Sequence, residues 1–223
     1  RTTAAARRRR GESSFMARYS DAVCKLCRRE QQKLFLKGDK CYTKCVLEKK
    51  PGVPGMAKPQ RGKPSAYSIR LREKQKLRRM IQMNERPFER AVAKASASRE
   101  ASGDALLRSL ELRLDNVIRR MGLATSIRTA RQLVFHGHVK VGGRHVDIPS
   151  YPVKAGDVVS VDVKLKENVG VKLSLETAKK LNNRPSFIEF NENELSAKIL
   201  RVPERGESSF PINDQLIIEY YSR

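Results

Sequence analysis

Cys24, Cys27, Cys41 and Cys45 are the only thiols in this 223-residue chain, and all four fall within CKLCRREQQKLFLKGDKCYTKC. Two residues separate the first pair, three the second, and thirteen lie between the pairs. Two cysteine pairs about a short loop are how a chain brings four thiolates to a tetrahedral metal. Lys37, Gly38, Asp39 and Lys40 form a turn signal before the second pair. The surrounding Lys and Arg are expected to favour thiolate over thiol. The spacing therefore predicts one structural metal ion held by Cys24, Cys27, Cys41 and Cys45. Zinc is the default, an iron–sulfur cluster or no metal the alternative, and free thiols and disulfides are the other fates of the sulfurs. Four cysteine ligands would leave no coordination position for a reactive water, which argues against metal catalysis. A unit this small is also expected to depend on the metal for its fold.

The charge around these cysteines is one-sided. The formal net charge is +23. Residues 1–100 carry 28 Lys/Arg against 9 Asp/Glu, and residues 101–223 carry 19 against 15. Such an excess repels itself unless a polyanion neutralises it, and nucleic acid is the polyanion of choice. No apolar run is long enough to span a bilayer. No apolar segment near the start reads as a secretory signal, and no helix sets a large apolar face against a basic one as a membrane-surface helix would. Catalysis lacks its parts as well. There is no Gly-rich phosphate loop or His-rich metal site, and Asp115 and Asp147 stand apart rather than as a working pair.

The elements that would carry these groups can be read along the chain. Residues 1–15, RTTAAARRRRGESSF, have the composition of a disordered basic arm and share it with transit peptides. Their RGESSF recurs at 205–210. Residues 49–66 hold four prolines, three glycines and five basic residues without an acid, which predicts extended chain suited to a phosphate track. Ser65 should cap a helix, AYSIRLREKQKLRRM, with Tyr67, Leu71, Leu77 and Met80 inward and Arg70, Arg72, Lys74, Lys76, Arg78 and Arg79 around the rest. Further helices are predicted from Glu85 to Ser98, with Pro87 in the first turn, and from about Ser102, with Leu106, Leu107, Leu110 and Leu114 on one face.

Residues 113–144, RLDNVIRRMGLATSIRTARQLVFHGHVKVGGR, have seven Lys/Arg and a single acid, Asp115. Leu114, Val117, Ile118 and Met121 keep helical spacing up to Gly122. Ser126 should cap a second helix that buries Ile127, Ala130, Leu133 and Val134 and turns Arg128 and Arg131 outward. HVKV, a GG turn and RHVDI read as a hairpin. VVSVDV reads as a third strand, and FIEF and AKILRV as two more. Asn213 is placed to cap a last helix, DQLIIEYYSR. A balanced solvating surface would not carry seven cations for one anion, so this segment reads as RNA- or DNA-contacting.

RLDNVIRRMGLATSIRTARQLV, HGHV and the GGR hairpin resemble the S-four RNA-binding module. MARYSDAVCKLCRRE, RLREKQKLRR and the ending QLIIEYYSR, in that order, extend the likeness from Met16 to Arg223, to the S-four family of bacterial small-subunit ribosomal proteins in its four-cysteine form. The gap between Cys41 and Cys45 is one residue shorter than the family's usual one.

The resemblance implies an α+β protein, a mainly helical domain with an N-terminal four-cysteine knuckle and an inserted module of two helices on a small antiparallel sheet. The expected division is a basic extension at 1–15, the knuckle at 16–48, a linker at 49–65, a helical rRNA-binding domain at 66–110 completed by 195–223, and the module with its following segment at 111–194. It also implies binding without chemistry, to 16S rRNA, neighbouring small-subunit proteins and mRNA near its entry channel, with no membrane and no small-molecule substrate. Assembly of the 5′ domain, translational accuracy and autogenous repression are the implied roles, in a bacterial cytoplasmic ribosome or an organelle's. The RNA-binding candidates are Arg70, Arg72, Lys74, Lys76, Arg78, Arg79, Arg113, Arg119, Arg120, Arg128, Arg131, His136, Lys140 and Arg144.

Overall fold

A computed structural model describes residues 19, 21–55, 63–181 and 184–222. The basic arm expected at 1–15, with the first RGESSF string, lies outside the described residues, as does the middle of the linker.

Two hydrophobic cores organise the rest. The first is helical. α1 (Cys24–Glu30) leads through two single-turn helices, α2 (Lys40–Thr43) and α3 (Val46–Lys49), towards α4 (Ala66–Ile81), α5 (Glu85–Ser96) and α6 (Ser102–Glu111). α4 starts where Ser65 Oγ accepts the Ser68 N–H at 3.2 Å, the N-cap its sequence predicts. It stops at Gln82, which adopts a left-handed conformation and caps the last turn. Leu77 and Ile81 of α4, Phe88 and Val92 of α5, and Leu106 and Leu110 of α6 are buried together. The final helix, α10 (Asp214–Tyr221), returns to this core through Ile217. Asn213 Oδ1 caps it, accepting the Gln215 N–H at 3.1 Å. α6 and α10 approach so closely that a Cβ at Gly103 would lie 1.8 Å from an Asp214 carboxylate oxygen.

The second core is α/β. α7 (Leu114–Met121) and α8 (Ile127–Phe135) pack on a five-stranded antiparallel sheet ordered β2-β1-β3-β5-β4. Its strands are β1 (Val139–Val141), β2 (Arg144–His145), β3 (Val158–Val161), β4 (Ile188–Asn191) and β5 (Ser196–Ile199). Alternation sets the face: Val139, Val141, Val159, Val161, Ala197 and Ile199 are all buried, while Lys140 and Ser160 between them are half-buried on the other side. Gly142 and Gly143 both take positive φ, as a two-residue hairpin turn demands.

Several expectations change. A third helix, α9 (Val169–Leu181), joins α7 and α8 in the module, contributing Val171 and Leu175 to the core. Its signal was present: Asn168 Oδ1 caps the start, accepting the Gly170 N–H at 2.8 Å, and Val171, Leu175 and Ala178 follow at helical spacing. The expected return to the helical domain at 195 comes later, because β5 pairs with both β3 and β4 and so belongs to the module's sheet. Tyr67 does not turn inward. It is 59% exposed, with its ring against Tyr220 at a centroid distance of 5.8 Å. The cysteine segment is no separate unit either: Val23, Cys27, Leu34 and Leu36 are buried in the helical core. A segment that shares a neighbour's core has apolar burial to fold on, not only a metal.

Candidate nucleic-acid interface

Most of the cations that the sequence offered to nucleic acid are held by acids of the protein itself. On α4, Arg70 pairs with Glu219 at 2.7 Å, Arg72 with Glu30 at 3.3 Å, Lys76 with Glu73 at 2.7 Å and Arg78 with Glu85 at 3.3 Å. Arg79 also binds Glu30, whose carboxylate is almost wholly buried between α1 and α4. Lys74 is corrected outright as a surface residue. It is 3% exposed, donates to Glu85 at 2.5 Å and sits over the Tyr220 ring at 4.6 Å. Burial alone would push the Glu85 carboxyl up, but hydrogen bonds from Lys74 and Tyr221 outweigh it and hold it below the usual range. Tyr221, partly buried and donating to that carboxylate, is held far above the usual phenol range.

The arginines of 113–131 form the joint between the two cores. Asp115 is fully buried. Arg113 grips it through both Nε and Nη2, at 3.1 and 2.8 Å, and Arg131 Nε reaches it at 2.8 Å. Arg131 spends its other nitrogens across the joint, on the carbonyls of Ile81 and Gln82 at 2.7 and 2.5 Å. Those carbonyls end α4, where a cation is favoured by the helix dipole. Arg131 therefore does not point outward as its helical position suggested. Glu111, also buried, accepts from Ser209 N and Oγ at 2.6 and 2.7 Å and from Asn116 Nδ2 at 2.6 Å. Arg119 donates to Asn116 and Ser209, and Arg120 to the Glu207 carbonyl at 2.6 Å. Desolvation lowers the pKa of Arg119, against the pull of nearby Glu111. Arg128 donates to the Tyr19 carbonyl at 2.9 Å.

The remaining candidates lie at one end of the sheet. His136 is exposed, its ring 6.2 Å from that of His138. Arg144 is exposed on the hairpin, and Lys140 is loosely paired, 3.9 Å from Asp162.

A second set of cations was passed over. Lys25, Arg29, Lys37, Lys40, Lys44, Lys49 and Lys50 of the cysteine segment are exposed, and Arg86, Arg90 and Lys94 follow every fourth residue along the exposed side of α5. The second group was visible as an i, i+4 repeat.

The cysteines lie close enough for the thiols to interact electrostatically. Three of the four are buried. Burial raises the Cys27 and Cys41 pKa values, partly relieved by the backbone N–H groups of Leu34 and Lys37, the latter 3.4 Å from Cys41 Sγ. This reverses the expectation that neighbouring Lys and Arg favour thiolate: desolvation wins. Among the described residues no group of three or more His, Cys, Asp or Glu is arranged to hold a metal ion, so the zinc site expected from the spacing lacks a preformed geometry. No described helix is long and apolar enough to cross a membrane.

Comparison with known proteins places these two cores. Residues 18–111 match the family model of the "Ribosomal protein S4/S9 N-terminal domain", and residues 112–159 that of the "S4 domain". A "Small ribosomal subunit protein uS4" of Thermodesulfovibrio yellowstonii is 46% identical over 209 residues, covering 93% of this chain and all of the relative. The proteins of the same name from Endomicrobium trichonymphae and Thermus thermophilus are 44% and 45% identical over 210 residues, with the same coverage. With full-length relatives at this identity, the chain belongs to the uS4 family of small ribosomal subunit proteins.

Proposed function

We propose that this protein is a structural component of the small ribosomal subunit that binds 16S rRNA directly and acts without chemistry of its own. The observation that carries the reading is the match of both domains to the family, over nearly the whole chain. The family consists of structural components rather than enzymes. The exposed cations of the cysteine segment, of α5 and of the Arg144 hairpin support it, since they are free to neutralise phosphate where Arg113 and Arg131, closed on Asp115, are not. Early assembly of the rRNA 5′ domain, contact with neighbouring subunit proteins and with mRNA near its entry, an influence on accuracy, and autogenous repression are the finer parts of this reading. Its setting is a bacterial cytoplasmic ribosome, in keeping with the bacterial relatives.

A zinc ion on Cys24, Cys27, Cys41 and Cys45 belongs here too. It is supported by the paired spacing and by the N–H groups directed at Cys27 and Cys41. Elemental analysis of reduced, anaerobically purified protein tests it. About one zinc per chain supports it, and four titratable thiols without metal reject it.

The RNA reading is tested by titrating the full chain against a 16S 5′-domain transcript at rising salt. Affinity should fall steeply, with a log–log slope of roughly −0.7 to −0.9 per phosphate contact. Equal affinity for an unrelated duplex, or no salt dependence, would reject it.

A further inference from the structure

We infer that the seam between the cysteine segment and the S4 domain holds a subsite for a single unstacked nucleotide of the bound RNA. The inference rests on the RNA-binding reading above and adds a place and a chemistry to it.

A cavity of about 390 Å³ opens on that seam, within the range that takes a small organic ligand. One wall is cationic. Arg119, Arg120 and Arg184 line it, with Glu207 as the only acid among its described lining residues. Glu207 cannot neutralise them, because its carboxylate is engaged by Arg201, Ser186 and the Glu204 N–H. Two of these guanidinium groups also keep unused donors. Arg184 Nη2 and Arg120 Nε are buried without a hydrogen-bond partner among the described residues. Arg120 Nε lies 3.6 Å from Glu111, beyond hydrogen-bond reach. Hydrogen bonds from guanidinium to phosphate are charge-assisted and often bidentate, so a wall carrying three arginines suits a phosphate group.

Two aromatic rings also line the cavity. Phe35 and Tyr42 lie ring against ring, 4.9 Å between centroids and tilted by 31°. They are 39% and 46% exposed. Phe35 holds φ at 50°, a left-handed conformation that a bulky side chain adopts only under constraint. The chain thus tolerates local strain at a partly exposed ring that shares a cavity with three arginines. Apolar burial does not explain this. A base stacked on Tyr42 or Phe35, with its phosphate on Arg120 and Arg184, does, and it is how single-stranded RNA is gripped.

The test uses the full chain and the 16S 5′-domain transcript. Ultraviolet irradiation of the complex, followed by mass spectrometry, should yield a nucleotide adduct on Tyr42 or Phe35. Tyr42→Ala should weaken transcript binding roughly tenfold, the order of one base–aromatic stack, while Tyr42→Phe should stay within about twofold of the parent. Arg184→Gln should also weaken it and flatten the salt slope by about one unit. Retained parental affinity in Tyr42→Ala together with no adduct at either ring overturns the subsite while leaving RNA binding intact. A parental chain that ignores the transcript overturns both. Tight binding of free nucleoside monophosphates that does not compete with the transcript, or an adduct at these rings with an acidic protein in its place, assigns the cavity another occupant and overturns the inference.

Discussion

The interdomain joint and the surface of the cysteine segment use their cations in opposite ways. At the joint, Arg113 and Arg131 close on the buried Asp115, Arg120 lies 3.6 Å from Glu111, and Arg119 donates to Asn116 and Ser209. On the cysteine segment, Lys25, Arg29, Lys40, Lys44 and their neighbours face solvent. In the sequence both regions read alike, as basic stretches short of acid. What separates them is where the few acids go. An acid taken out of water must be paired, so Asp115 recruits Arg113 and Arg131 and removes them from the surface. A count of charges therefore overstates the surface available to RNA, and most where single acids are most deeply buried.

This contrast can be broken at the joint first. Asp115→Ala should strand two guanidinium groups and cost about 3–5 kcal/mol in urea unfolding. A loss below about 1 kcal/mol would show that the joint is solvated in solution. Glu30→Gln comes next. It removes the charge between Arg72 and Arg79, at about 1–3 kcal/mol, and should raise hydrogen exchange across residues 24–49 while leaving the sheet unchanged. An equal rise in the sheet would mean that the cysteine segment is not docked through Glu30.

Acid should bring a smaller, pH-bound effect through Glu85. Its folded pKa is lowered, so the stability it adds is present above the ordinary value near 4.5 and is lost as pH falls below it. Glu85→Gln should flatten that acid limb in a pH series of melting curves, and an unchanged limb would assign the loss to other carboxylates. The smallest effect on stability belongs to the exposed set. Lys40→Gln with Lys44→Gln should move stability by no more than about 0.5 kcal/mol, while the salt slope for the transcript falls by about one unit for each phosphate left unneutralised. Loss of stability without a change in slope would place these lysines with the joint arginines.

Much of the fold was legible. Ser65, Ser126 and Asn213 cap the helices they were expected to cap, and the side-chain oxygen of each accepts a backbone N–H. The hairpin turns at Gly142 and Gly143, and FIEF and AKILRV fall on β4 and β5. Caps, turns and alternation are short-range signals, carried by residues within a few positions of one another. α9 carries a cap at Asn168 and helical spacing, but Gly170 and the β-branched Val169 and Val171 make its first turn a weak helix signal. Tyr67 was misplaced because helical periodicity says which residues share a face, not which face another helix covers.

By itself the sequence determined the class of protein. Its helix and strand signals, its excess of cations and its string of family motifs are local or additive properties, and they survive without coordinates. Only the tertiary structure decided the use of each residue. It took Lys74 inside, turned Arg131 across the joint and left the Cys27 and Cys41 thiols desolvated. The free energy of a charge depends on its distance from water and from opposite charge, and in a folded chain those distances join residues far apart in sequence, as with Arg131 and Ile81.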